Sequence, residues 1–206
     1  MSERRGRTAR ENHHGTEKSQ RLAERREVIA RAACACIERK GVQRTSIADI
    51  AREIGITREL VYYYYPNKRE VVNGALDIYV QDGVSLVETE LVQIMACEHE
   101  TVWSGRLSAL SGVMRALRVW LAEDGEGIVP MIEVLNEVSL WPQVMLRVAS
   151  ESVAALAAGG WTNEGDTGSG EGLGRTLALV GAMDMMLCKP MVADDELVAG
   201  IMALFW

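Results

Sequence analysis

The chain is predicted to be all-α, with nine or ten helices arranged as an N-terminal three-helix unit and a larger C-terminal helical body. Three observations carry this. Apolar residues recur at helical spacing along most of the length, and no stretch shows sustained alternation of apolar and polar residues. Capping and stopping residues punctuate that pattern at intervals suited to helices of ordinary length. The charge is also divided: residues 1–70 hold 16 Lys and Arg against 10 Asp and Glu, while residues 71–206 hold 6 against 19, within a net charge of −7.

The elements follow in order. Residues 1–20 are polar and Arg-rich and are expected to form a flexible basic arm. Val28, Ile29, Ala32, Ala33, Cys36 and Ile37 then place apolar groups on one face of a helix reaching Lys40, and Gly41 stands just past its end. A short helix fits Ile47 to Ile54, opened by Thr45 and Ser46 and closed by Gly55. A second fits Arg58 to Tyr64, capped by Thr57 and stopped by Pro66. Asn67 can cap the next helix, which starts at Lys68 and is expected to bend or break near Gly83. Residues 21–68 thus form the first folded domain and 69–206 the second. In the second, Trp103, Leu107, Leu110, Met114, Leu117 and Leu121 make one apolar stripe. Asp124 to Gly127 interrupt it. Further helices are expected near 130–140, 142–158, 173–188 and 194–205, with a Gly-rich polar loop before the last two.

Composition narrows the function classes. A chain of 206 residues that is 48% hydrophobic can bury an ordinary core. It contains no run of about 18 apolar residues, so no membrane span is expected. The charged N-terminus lacks the apolar segment of a secretory signal. Four cysteines, with Cys34 and Cys36 two apart on a helix, argue against a disulfide framework and for a reducing cytoplasm. His13, His14 and His99 form no metal set with them, since Cys97-x-His99 is too small for a structural zinc site. No phosphate-binding glycine loop and no nucleophile–His arrangement occurs, so neither a cofactor nor an enzymatic activity is expected.

The stretch TSIADIAREIGITRELVYYYY carries the chemistry. Ile47, Ile50, Ala51 and Ile54 share one face, and small Ala51 permits a close helix crossing. Gly55 permits the positive φ of a tight turn, and Ile56 plugs it. Leu60 and Val61 can anchor the second short helix inward, leaving Arg58, Glu59, Tyr62 and Tyr63 to face outward. A helix so placed can lie in a DNA major groove. Arg58 can donate to guanine O6 and N7, and Glu59 can accept from cytosine N4. The hydroxyls of Thr45, Ser46, Tyr62 and Tyr63 suit phosphate oxygens, as does Thr57 at the helix start. Lys68, at a helix N-terminus, can hold a phosphate together with free backbone N–H groups. The same spacing also fits two short helices that merely pack in a bundle.

The run from Val28 to Val72, 45 contiguous residues, resembles the N-terminal domain of TetR-type regulators. The matching positions are Ile29, Ala32 and Ala33, Gly41, Thr45-Ser46-Ile47, Ile50-Ala51, Gly55-Ile56-Thr57, Tyr62 to Tyr65, and Asn67-Lys68. Glu59 departs from the small residue common in that family, and Tyr65 from its phenylalanine. A glutamate near phosphates is repelled by them, so Glu59 is either a specificity residue or an intrahelical partner.

The resemblance implies a homodimer bound to double-stranded DNA at a pseudo-palindromic operator, acting as a repressor released by a small-molecule effector. It places the dimer at the helices near 143–158 and 172–188, which carry the small residues Ala149, Ser152, Ala155, Gly174 and Gly181, with packing of these residues inside one subunit as the alternative. Trp103, Met114, Trp120, Asn136, Met183 and Met186 are the candidate effector contacts, with plain core packing as the alternative for each. A ligand-independent or activating regulator of the same fold is the second reading. A small-molecule-binding or enzymatic helical protein is the third.

Overall fold

The computed structural model describes residues 3–122, 135–136, 138–161, 170–188 and 198–199. Among these residues there are seven helices and no strand: α1 (Glu3–Lys40), α2 (Ile47–Glu53), α3 (Arg58–Tyr64), α4 (Lys68–Met95), α5 (Val102–Ala122), α6 (Trp141–Ala158) and α7 (Gly170–Cys188). Of the helices expected near 130–140 and 194–205, the described residues are 135–136 and 198–199, which are helical, and 138–140, where 138–139 form a turn. Two compact units divide the chain at Ile78/Tyr79, ten residues beyond the boundary expected at 68/69. Helix α4 contributes its first residues to unit one and the remainder to unit two.

In unit one, α1 buries Ile29, Ala32, Ala33, Cys36 and Ile37 against Ile47, Ile50 and Ala51 of α2 and Val61 of α3. The expected arm is instead continuous with α1, which is helical from Glu3. No proline interrupts that segment, and its Glu, Arg, Lys, Gln and Ala residues favour helix, although Gly6 and Gly15 weaken it. Gly41 ends α1 at φ 81°, and its N–H reaches the Ile37 carbonyl at 2.7 Å. Gly55 takes φ 65° in the α2–α3 turn, where Ile56 N–H closes back to the Ala51 carbonyl at 2.9 Å. A Cβ at Gly55 would meet nothing within 4 Å, so the conformation, not crowding, requires glycine there.

In unit two, α4 runs through Gly83 without the expected break. A Cβ at Gly83 would lie 2.8 Å from the Trp120 indole, so this glycine serves close packing. Leu110, Met114, Leu117 and Leu121 of α5 are buried as the stripe predicts. Trp103 and Leu107 are not: Trp103 is 58% exposed and Leu107 is exposed as well. They occupy the first turns of α5. Helix α6 buries Trp141, Val144, Val148, Ala149, Ser152 and Leu156 and packs on α7. No described helix is long and apolar enough to cross a membrane.

Candidate nucleic-acid interface

The site begins with the caps that fix α2 and α3. Ser46 opens α2 through a reciprocal capping box: its hydroxyl accepts from Asp49 N–H at 3.2 Å, while the Asp49 carboxylate accepts from Ser46 N–H at 3.0 Å. The Ser46 hydroxyl also donates to Asp49 at 2.6 Å. Asp49 further receives Lys40 Nζ at 2.8 Å and Arg52 at 3.2 Å. Hydrogen bonds from Lys40, then from Ser46, hold its carboxyl far below the ordinary carboxylate range. One turn along, Glu53 pairs with Arg39 of α1, which lowers its pKa in the same way. Sequence reasoning missed this α1–α2 clamp. Opposite charges 9 and 14 residues apart carry no periodic signal unless the helix crossing is already known.

Thr45 does not reach the surface. It is buried, and its hydroxyl sits 2.8 Å from the Gly41 carbonyl and 3.1 Å from that of Cys36. Its single hydrogen is shared between these carbonyls or given to one of them, which fastens the α1–α2 loop and turns the hydroxyl away from solvent. The family-like threonine at that position is therefore explained by the loop's own backbone.

Thr57 caps α3 by accepting from Leu60 N–H at 3.2 Å. Val61 is buried, but Leu60 is 41% exposed, which corrects its expected inward role. The reason is geometric: at about 100° per residue, Leu60 and Val61 cannot both point into one narrow contact. Arg58, Glu59, Tyr62 and Tyr63 are exposed as expected, Tyr63 at 70%. Tyr63 stands edge-on to Tyr64, with ring centroids 5.0 Å apart. Its own backbone N–H, then the Thr57 hydroxyl and Arg58, lower the pKa of the Glu59 carboxyl.

The tyrosine cluster splits in two. Tyr65 is buried, donates its hydroxyl to the Arg26 carbonyl at 3.0 Å, and lies under the Arg26 guanidinium at 4.4 Å. Arg26 in turn donates to the Tyr64 carbonyl at 2.9 Å, tying α1 to the end of α3. This accounts for a tyrosine where phenylalanine is common. Lys68, half-buried at the start of α4, donates to the Gln43 carbonyl at 3.2 Å. Asn67 caps α4 through Glu70 N–H at 3.0 Å.

The six candidate effector contacts differ in exposure. Met114, Trp120 and Met183 are buried, Trp103 and Asn136 are exposed, and the Met186 side chain lies outside the described residues. Trp120 is anchored by donating to the Tyr79 carbonyl at 3.2 Å and stacks on Trp141. A groove of about 450 Å³ in unit two is lined by Ile94, Cys97, His99, Leu107, Ser108, Ser111 and Arg115, none of which is among the six. No cluster of three or more metal-ligating side chains occurs among the described residues, and Cys34, Cys36 and Cys97 form no disulfide.

A capped pair of short helices around Gly55, with an exposed polar face on the second, defines a helix-turn-helix domain. Residues 29–75 match the family model for bacterial regulatory proteins of the tetR family. Over 54 residues the chain is 43% identical to the HTH-type transcriptional regulator TtgR of Pseudomonas putida, covering 26% of each chain. It is 27% identical over 90 residues to the uncharacterized HTH-type transcriptional regulator YfiR of Bacillus subtilis, covering 44% of this chain and 41% of that one. These matches span about a quarter to two fifths of the curated relatives' length. A crystal structure of a protein from Rhodococcus sp. assigned to the TetR-family transcriptional regulators shares the fold, with a TM-score of 0.51 at 15% identity over 89% of this chain and all of that one. The N-terminal domain thus matches that of the tetR-family regulatory proteins, and the rest of the chain shares their helical fold.

Proposed function

We propose that the protein is a sequence-specific DNA-binding transcriptional regulator acting as a homodimeric repressor, released from a pseudo-palindromic operator when a small molecule binds the C-terminal unit. The observation that carries the DNA-binding part is the polarity of α3. Val61 is buried beneath it, while Arg58, Glu59, Tyr62 and Tyr63 project from a helix whose start is fixed by Thr57. Ser46 and Lys68 flank it as phosphate contacts, set by the α2 cap and the α1–α2 loop. One short helix reads too few base pairs to specify a site, so two copies on half-sites one helical turn apart are required.

The outer face of α7 supports the dimer. Leu173, Leu177 and Met185 are exposed there, and Gly174 and Gly181 have open space around them. Ala149 and Ser152 of α6 pack within the subunit instead. Release by an effector requires that it bind one dimer state more tightly than the other, because equal affinity shifts nothing. Burial of Met114, Trp120 and Met183 favours the second reading, a ligand-independent regulator of the same fold.

Fluorescence anisotropy with the DNA flanking the protein's own gene tests the main reading. Binding that weakens steeply with salt, and that exceeds binding to a scrambled duplex, is expected. Absent binding, or equal affinity for both duplexes, would sink it. A thermal-shift screen without a single stabilising compound would move the choice to the ligand-independent regulator.

A further inference from the structure

We propose that Glu59 is a base-selecting residue, whose carboxylate takes a cytosine amino group at one fixed position of each half-site. The inference rests on the DNA-binding reading above and deepens it.

The geometry starts from the buried side of α3. With Val61 as the inward reference, Glu59 and Tyr63 fall at roughly 160° and 200° around the helix, one turn apart on the face directly opposite. Arg58 falls only about 60° from Val61, on the flank. Glu59 therefore stands at the centre of the outward face, in the first turn, from which a major-groove helix reaches base edges. All of these side chains except Val61 are exposed.

The chemistry then limits what Glu59 can meet. A carboxylate only accepts hydrogen bonds, and phosphate oxygens repel it. Guanine offers two acceptors to the major groove and thymine an acceptor and a methyl group. Adenine places its N7 acceptor beside its amino group, whereas cytosine N4 is a donor with no acceptor next to it. Cytosine is thus the base edge that suits a carboxylate best. Thr57 fixes the start of α3 by accepting from Leu60 N–H at 3.2 Å, which sets the backbone from which Glu59 projects.

Selection of bound duplexes from a library with a randomised half-site, using the full chain and its Glu59→Gln and Glu59→Ala variants, tests this. The parent is expected to enrich cytosine at one position by about tenfold. Glu59→Gln should shift that position towards adenine, because an amide can both donate and accept at N7 and N6. Glu59→Ala should lose the preference there and bind random DNA more tightly, with the other positions unchanged. If Glu59 merely caps α3, both variants will melt at lower temperature yet keep the parent's base preferences, and the inference fails. A parent that enriches no sequence at all overturns the DNA-reading function itself, together with this inference.

Discussion

Thr45 shows how one hydroxyl can look like a ligand contact in the sequence and act as a backbone clamp in the fold. Its neighbour Ser46 is exposed and Thr45 is buried, although both are short hydroxyl residues before the same helix. The difference lies in the loop. Once Gly41 turns the chain at φ 81°, the carbonyls of Cys36 and Gly41 lie within reach of the Thr45 hydroxyl, and Gly41 also accepts the Thr45 N–H at 3.2 Å. Valine has nearly the shape of threonine but no donor. Thr45→Val is therefore expected to lose about 0.5–1.5 kcal/mol, the net contribution of the hydroxyl's hydrogen bond. Thr45→Ser should retain most of the stability. Thermal unfolding of the three proteins checks this, and equal melting of the valine variant and the parent would contradict the clamp.

At the scale of elements, α1 and α2 are joined by apolar burial and by charge. Lys40 with Asp49 and Arg39 with Glu53 bridge the two helices, and Asp49 also closes the capping box. Both carboxyls have lowered pKa values, Asp49 chiefly through Lys40 and Ser46, Glu53 chiefly through Arg39. A carboxyl whose folded pKa is depressed adds stability that is present above its unfolded value and is lost as pH falls towards the folded value. The unfolded values lie near 4, so the N-terminal unit is expected to weaken as pH drops below about 4 and to continue weakening beneath that. Denaturant melts of the parent and of Asp49→Asn between pH 7 and pH 3 measure the effect. The variant should start less stable and show the smaller acid loss; parallel pH profiles would rule out Asp49 as a source. The helix boundaries around this clamp were legible beforehand, because Ser46, Thr57, Gly41 and Gly55 act through their immediate backbone. The clamp itself was not, nor the Arg26–Tyr65 contact, whose partners stand 39 residues apart.

Across the whole molecule, the same contrast separates the two units. Unit one follows local rules closely, since three short segments share one small core around Ala33, Ile50 and Val61. In unit two, periodicity identified the apolar stripe of α5 but not where its partners end, so Trp103 and Leu107 emerged exposed. The α7 stripe raises the question of partners most sharply. Its Leu173 and Leu177 repeat with the spacing of a packed face, yet both are exposed in the single chain, whereas Leu179 and Met183 on the other side are buried. Scattered exposed leucines need no explanation, but a helical row of them beside two glycines suits a close approach by a second copy. Leu177→Glu replaces an exposed side chain, so the fold should persist while the second copy is repelled. Sedimentation is then expected to show monomers. Affinity for the complete operator should fall by at least about tenfold, and binding to an isolated half-site should stay near the parent's, because only the linkage between two readers is lost. Val92→Glu, also at an exposed position, controls for the added charge and should leave assembly unchanged. A Leu177→Glu protein that sediments as the parent does would show that the two copies meet on some other surface.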